Sequence, residues 1–263
     1  MIKIINICDI DYDYNHKSQI NLFHKFFFMQ SKISTDCTQC FSRNNSVFSI
    51  CKHDELEKMN DSKGSHVFKK GEAIFSEGEY PKGVYCIFSG SVKVSKSQED
   101  GKEQVVRLIK GGNILGYRSL LCDEKYQASA YAMEDTRVCF FPKEFYLQML
   151  NENPALSRGT IKLLTSDLRH AENMVIELIH KSAKARIAEA LLMLEKFYGA
   201  NSKDGFINIV LKREDVANIA GTTTETAIRA LSDWAKEGLI LLEGKRIKIE
   251  KKNMLSKMAE NVS

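Results

Sequence analysis

Residues 211–250 read LKREDVANIAGTTTETAIRALSDWAKEGLILLEGKRIKIE, and their pattern decides the fold of the C-terminal part of the chain. Val216, Ile219 and Ala220 recur at helical spacing, Gly221 interrupts them, and Ala227, Leu231 and Trp234 resume the period. Two short apolar runs then flank Gly244, the spacing of a hairpin. Helix, tight turn, helix and hairpin in that order make a winged helix-turn-helix. Thr222 or Thr223 offers a side-chain oxygen to cap the second helix, and Thr222 with Glu225 has the spacing of a capping box.

The inward stripe of that second helix leaves Thr224, Glu225, Ile228 and Arg229 on the opposite side. In a DNA major groove an arginine bonds guanine O6 and N7 together, and a glutamate accepts from a cytosine amino group. Glu225 and Arg229 supply one of each, although residues four apart on a helix also form surface ion pairs. Lys245 and Arg246, with Lys248 beside Gly244, suit a phosphate clamp on the wing, and Thr222, Thr223 and Lys212 are further phosphate candidates. The segment resembles the DNA-binding domain of the Crp-Fnr superfamily of bacterial transcription regulators. The resemblance gives the main base-reading roles to Glu225 and Arg229. Thr224 stands where the cyclic-AMP receptor has an arginine, and Ile228 where the anaerobic regulator has a serine, so it leaves the half-site sequence open. It also implies double-stranded DNA, a second copy of the chain and RNA polymerase as partners.

The chain has 263 residues, 43% hydrophobic and 27% charged, enough for two cored domains joined by a connector. A formal charge of +4 permits nucleic acid without demanding it. No apolar run is long enough to span a bilayer, and the first residues do not read as a secretory signal. Seven irregularly spaced cysteines then suggest reduced thiols and a cytoplasmic location. Residues 1–36 show no clear period and are expected to be a poorly ordered arm, with a short helix over Ile20–Met29 and a translation start at Met29 as the favoured explanation of the preceding text.

Residues 61–142 alternate short apolar strands with glycine turns, which predicts an antiparallel barrel or sandwich. This part resembles the cyclic-nucleotide-binding β-roll of the same superfamily. The expected architecture is therefore α+β: an arm (1–36), a sensory β-roll with a helical lead-in (37–152), a dimerisation helix and hinge (153–182) and a winged helix-turn-helix (183–263). Nucleotide-binding members use a glutamate after a glycine and a later arginine-serine pair. Here Gly116 is followed by Tyr117, and the later segment reads Tyr126-Gln127-Ala128-Ser129. A buried cyclic phosphate lacking its arginine is a poorly paired charge, which argues against cyclic AMP. Gly116, Tyr117, Arg118, Gln127 and Ser129 remain as a candidate pocket for another effector.

Cys37 and Cys40 have a metal or redox spacing. Similarity to the anaerobic regulator implies an iron-sulfur cluster held by Cys37, Cys40 and Cys139, but Ser46 occupies the place of the next ligand and Cys51 comes five residues later. The alternative is that these cysteines, like Cys86, are small buried apolar residues.

Asn153 and Pro154 start a long helix in which Ile161, Leu164, Leu168, Ala171, Val175 and Leu178 make an a/d seam suited to pairing with a copy of itself. A hinge near Ser182 precedes a helix over Ala185–Tyr198. The reading is a homodimeric transcription regulator, not an enzyme. Its rivals are an anion- or small-molecule-binding signalling module that does not read DNA sequence, and a cysteine-based redox sensor or enzyme using Cys37 and Cys40.

Overall fold

Glycine corners and alternating apolar residues fold the middle of the chain into two facing antiparallel sheets. A computed structural model describes residues 36–97 and 103–260, so the readings made for residues 1–35 lie outside the described residues. Two short 3-10 turns, Phe41–Asn45 and Val47–Ile50, lead into α1 (His53–Ser62), which buries Leu56 and Met59 as its spacing predicts. Eight strands follow: β1 (Gly64–Phe68), β2 (Ala73–Phe75), β3 (Gly83–Ser89), β4 (Ser91–Ser97), β5 (Glu103–Lys110), β6 (Ile114–Leu115), β7 (Ser129–Ala132) and β8 (Thr136–Pro142). One sheet has the order β1-β8-β3-β6 and the other β2-β7-β4-β5. Ile74, Phe75, Ile87, Val92, Ile109, Tyr126 and Val138 fill the space between them.

A short helix α2 (Tyr117–Leu121) interrupts the strands after Gly116, and α3 (Lys143–Glu152) leaves β8 at Pro142. These two helices were not read from the sequence. Their buried faces, Tyr117 with Leu120 and Tyr146 with Met149, build a second core with Leu56, Met59 and Phe48. Helix α4 (Pro154–His180) starts where expected: the Asn153 side chain accepts from the Ala155 and Leu156 amides, and proline takes the first turn. Leu156, Leu163 and Leu164 pack α4 on that second core. On another side of the helix, Ile161, Leu168, Val175 and Ile179 are exposed.

The third core belongs to the C-terminal part. Helix α5 (Ala183–Tyr198), capped by Ser182, buries Ile187, Ala188, Leu191 and Leu194. Against it pack α6 (Arg213–Ala220), α7 (Thr224–Lys236), the hairpin β9 (Ile240–Glu243) with β10 (Arg246–Ile249), and α8 (Lys252–Glu260). Met133 and Leu108 join this core from the sheets, Gln104 Nε2 donates to the Asn218 carbonyl at 2.8 Å, and Lys70 Nζ donates to the Val210 carbonyl at 2.9 Å. The C-terminal unit is thus docked on the β4–β5 side of the roll. Among the described residues no helix is long and apolar enough to cross a membrane.

Candidate nucleic-acid interface

The turn between α6 and α7 sets the angle at which α7 leaves the domain. Gly221 adopts φ 61° and ψ 47°, a left-handed conformation that ends α6 at little cost for glycine. Arg186 of α5 then satisfies the helix end, donating through Nε to the Ala220 carbonyl and through Nη2 to the Gly221 carbonyl, both at 2.9 Å. A side chain on Gly221 would meet Leu178 of α4 at 2.8 Å and Gln104 at 3.3 Å, so the turn is also enclosed by its neighbours.

Helix α7 begins one residue later than the capping-box spacing suggests. The cap is Thr223, whose Oγ1 accepts from the Thr226 amide at 3.2 Å. Thr222 lies one residue before the cap, in the turn, where its amide donates to the Ala217 carbonyl at 3.0 Å. From this start Ala227, Ala230, Leu231 and Trp234 fall on one side and are buried, at spacings of three, four and seven. Glu225, Ile228, Arg229 and Ser232 fall on the other and are exposed, while Thr224 is half-buried beside them. The carboxylate of Glu225 lies in the first turn, where the helix dipole favours negative charge.

The wing flanks this face. Gly244 (φ 57°) and Lys245 form a two-residue loop between β9 and β10, with glycine at the position that needs positive φ. Lys245 is exposed at its tip, and Lys212 is exposed before α6. Arg246 is engaged within the domain instead: its guanidinium pairs with Asp204 and, at 3.4 Å, with Glu243, and lies 4.1 Å from the centre of the Phe206 ring. Its charge is largely balanced before any phosphate arrives. Arg213, absent from the sequence reading, donates through Nη2 to the Gly244 carbonyl at 2.9 Å and so fixes the wing to α6. Burial lowers the tendency of that guanidinium to hold its proton, and its Nη1 is buried without a partner among the described residues.

The candidate effector residues do not converge. Tyr117 is buried and donates its hydroxyl to Asp167 of α4, an oxygen that Arg107 also binds, and burial pushes its phenol pKa up. The buried Ser129 hydroxyl accepts from the Glu77 amide at 2.9 Å, whereas Arg118 and Gln127 are exposed. Tyr126 stacks on Phe75 with ring centres 3.9 Å apart inside the roll, and a side chain on Gly116 would meet the Tyr126 hydroxyl at 3.2 Å. Aromatic packing therefore occupies the interior, and a cyclic nucleotide does not fit the residues present. A cavity of about 500 Å³ lies elsewhere, between the lead-in turns and α4, lined by Asn45, Ile50, Asn113, Arg158, Lys162 and Leu163.

The cysteines gather without forming a ligand set. Cys37, Cys51 and Cys139 lie in the second core with Cys86 packed against it, and Cys86 is directly opposite Cys139 in the β3–β8 register. Cys40 is half-buried at the start of the first 3-10 turn. The Cys37 thiol accepts from Lys63 Nζ at 3.1 Å, but burial outweighs the ammonium and raises its pKa. Burial also pushes the Cys51 thiol up to about 12 and raises that of Cys86. Metal ligation needs thiolates. Among the described residues no three His, Cys, Asp or Glu side chains are placed to hold a metal ion, so an iron-sulfur cluster does not fit this arrangement.

Comparison with known proteins agrees with this layout. Residues 65–153 match the family model of the cyclic nucleotide-binding domain, and residues 185–258 that of the Crp-like helix-turn-helix domain. The chain is 32% identical over 185 residues to the global nitrogen regulator of Synechococcus elongatus, covering 69% of this chain and 83% of that protein. It is 28% identical over 194 residues to a CRP-like cAMP-activated global transcriptional regulator of Mycobacterium tuberculosis, covering 73% and 86%. To the fumarate and nitrate reduction regulatory protein of Escherichia coli it is 27% identical over 218 residues, covering 81% and 85%. Among solved structures, FixK2 from Bradyrhizobium japonicum shares the fold with a TM-score of 0.67 at 24% identity, over 76% of this chain and 99% of that one.

Proposed function

The chain belongs to the Crp-Fnr superfamily of bacterial transcription regulators, and from that membership we propose that it is a cytoplasmic homodimer that reads an imperfect DNA palindrome with α7. The observation that carries this reading is the division of α7 itself. Its apolar side is buried, and the side opposite presents Glu225, Ile228 and Arg229 to solvent. Arg229 is assigned to guanine and Glu225 to a cytosine amino group. Lys212 and Lys245 contact phosphates on either side, with Thr222 and Thr223 near the same strand. Arg246 acts mainly by holding the wing in shape.

Dimerisation is assigned to α4, whose exposed Ile161, Leu168, Val175 and Ile179 have no cover within the described chain. Two copies of α7 carried by such a dimer meet half-sites about one helical turn, roughly ten base pairs, apart. The roll acts as the sensory part, residues 37–152, and the Arg107–Asp167–Tyr117 contact is its link to α4. A signal that favours one arrangement of that contact over another shifts the position of the winged domains, residues 183–263. The filled interior of the roll supports an effector other than cyclic AMP. Recruitment of RNA polymerase follows from the role of a transcription regulator.

Selection from a random double-stranded library tests this directly. Enrichment of inverted repeats with a guanine in each half is the expected result. A chain that enriches no sequence, while sedimenting as a folded species, refutes the proposal.

A further inference from the structure

The cleft between the lead-in turns and α4 is walled by segments that touch one another through their backbones. A side chain on Gly159 of α4 would meet Val47 at 3.0 Å and Ile50 at 3.3 Å, so the second 3-10 turn rests directly on the helix. Gly112, at φ 94°, brings the β5–β6 turn equally close: a Cβ there would lie 2.6 Å from the Ser42 carbonyl and 2.8 Å from Asn45. Such contacts fix the walls, and the space of about 500 Å³ between them is of a size that takes a small organic molecule. Its lining combines two kinds of group. Ile50, Ile114 and Leu163 offer apolar contact, while Arg158 and Lys162 bring two positive charges. These cations stand one turn apart on α4, where like charges repel. Among the described residues neither makes an ion pair or a hydrogen bond, and the first turn of α4 holds no acidic residue. Lys58 of α1 and Lys143 of α3, by contrast, are neutralised by Glu152 and Asp123. An uncompensated pair of cations beside an apolar wall suits a doubly charged anion with an apolar body.

We propose that this cleft is the effector site of the protein and takes a small phosphate monoester with an apolar body. Such a phosphate carries about −1.5 to −2 charges at neutral pH and three acceptor oxygens. These match the planar fork of Arg158 and the ammonium of Lys162, and the body of the ligand lies against Ile50 and Leu163. The ligand touches the lead-in turns and α4 together, so its binding bears on the helix that carries the exposed apolar seam. The effector role rests on the DNA-reading function proposed above; the binding site does not.

The test titrates phenyl phosphate into the full chain by isothermal calorimetry, with inorganic phosphate and phenol as the head and the body alone. Phenyl phosphate is expected to saturate one site per chain and to bind at least about tenfold more tightly than either fragment. Arg158→Glu and Lys162→Glu, both at exposed positions, each weaken it at least about tenfold. Lys162→Ala, which removes the charge without reversing it, also weakens binding and serves should a reversal fold poorly. Absence of saturable binding overturns the proposal. So does binding that survives both charge reversals, or binding lost in Lys245→Ala, which would put the anion on the DNA side. Anisotropy with the selected operator, at constant ionic strength, then reads the effector role. Saturating phenyl phosphate shifts operator affinity at least about fivefold in the wild type and leaves Lys162→Glu unchanged. Calorimetric binding without that shift overturns the effector role. A chain that selects no operator at all fails the DNA-reading proposal, while the calorimetry still judges the cleft.

Discussion

Helices α7 and α4 are both amphipathic, yet they leave opposite sides in water. In α7 the apolar stripe Ala227, Ala230, Leu231 and Trp234 is covered by its own domain, and polar or charged groups dominate the outside. In α4 the apolar residues Ile161, Leu168, Val175 and Ile179 are themselves the outside. A helix with a finished apolar side can present its other side to a polar ligand such as DNA. A helix with a bare apolar stripe is incomplete and calls for a second apolar surface. The two helices are thus distinguished by which face the fold covers, and the proposed roles, DNA for α7 and a second copy for α4, follow that difference.

The largest test of that contrast removes the anchor of α7. Trp234→Ala leaves a cavity in the C-terminal core and is expected to destabilise the winged part by about 3–5 kcal/mol, read from its thermal or urea unfolding. A loss below 1 kcal/mol would mean that α7 is not held by that stripe. The second test charges the seam. Leu168→Glu with Val175→Glu should leave each chain folded, because both positions are exposed in it, and raise the dimer dissociation constant more than about a hundredfold in sedimentation equilibrium. A dimer that survives both changes pairs through another surface.

How much of this contrast was legible in the sequence differs between its halves. The winged unit is specified by local signals: a 3.6-residue apolar period, a glycine that alone tolerates the turn, a threonine beside it and a glycine-led hairpin. Even there the sequence left Thr222 and Thr223 as alternative caps, with the capping-box spacing pointing to Thr222, and the structure selects Thr223. The a/d seam of α4 was visible as well, although Leu164 faces the second core. The candidate effector pocket was not legible. Tyr117 turns inward because its hydroxyl meets Asp167, fifty residues away, and no local pattern encodes that contact. Arg246 was read as a phosphate ligand from its charge, but Asp204 and Phe206 claim its guanidinium. Helices α2 and α3 escaped notice for the same reason, their stripes being short and completed by residues distant in sequence, from α1, the lead-in turns, the strands and α4.

Smaller effects sharpen the picture of α7. Thr223→Ala should cost about 1 kcal/mol of stability in thermal unfolding, and Thr222→Ala clearly less, since only Thr223 caps the helix. Equal losses would restore the earlier start. Lys245→Ala is expected to leave stability unchanged and to reduce the slope of log affinity against log salt by about one per wing engaged, measured by anisotropy across a salt series. An unchanged slope would place the wing tip away from phosphate.

The central claim is that the outward face of α7 reads bases, and sequence selection by Arg229→Ala beside the wild type tests it most directly. The account predicts that the variant still folds and dimerises, loses roughly 1–3 kcal/mol of affinity for the wild-type operator, and no longer prefers guanine at the position the wild type requires. An Arg229→Ala protein that selects the same guanine with undiminished affinity would contradict it.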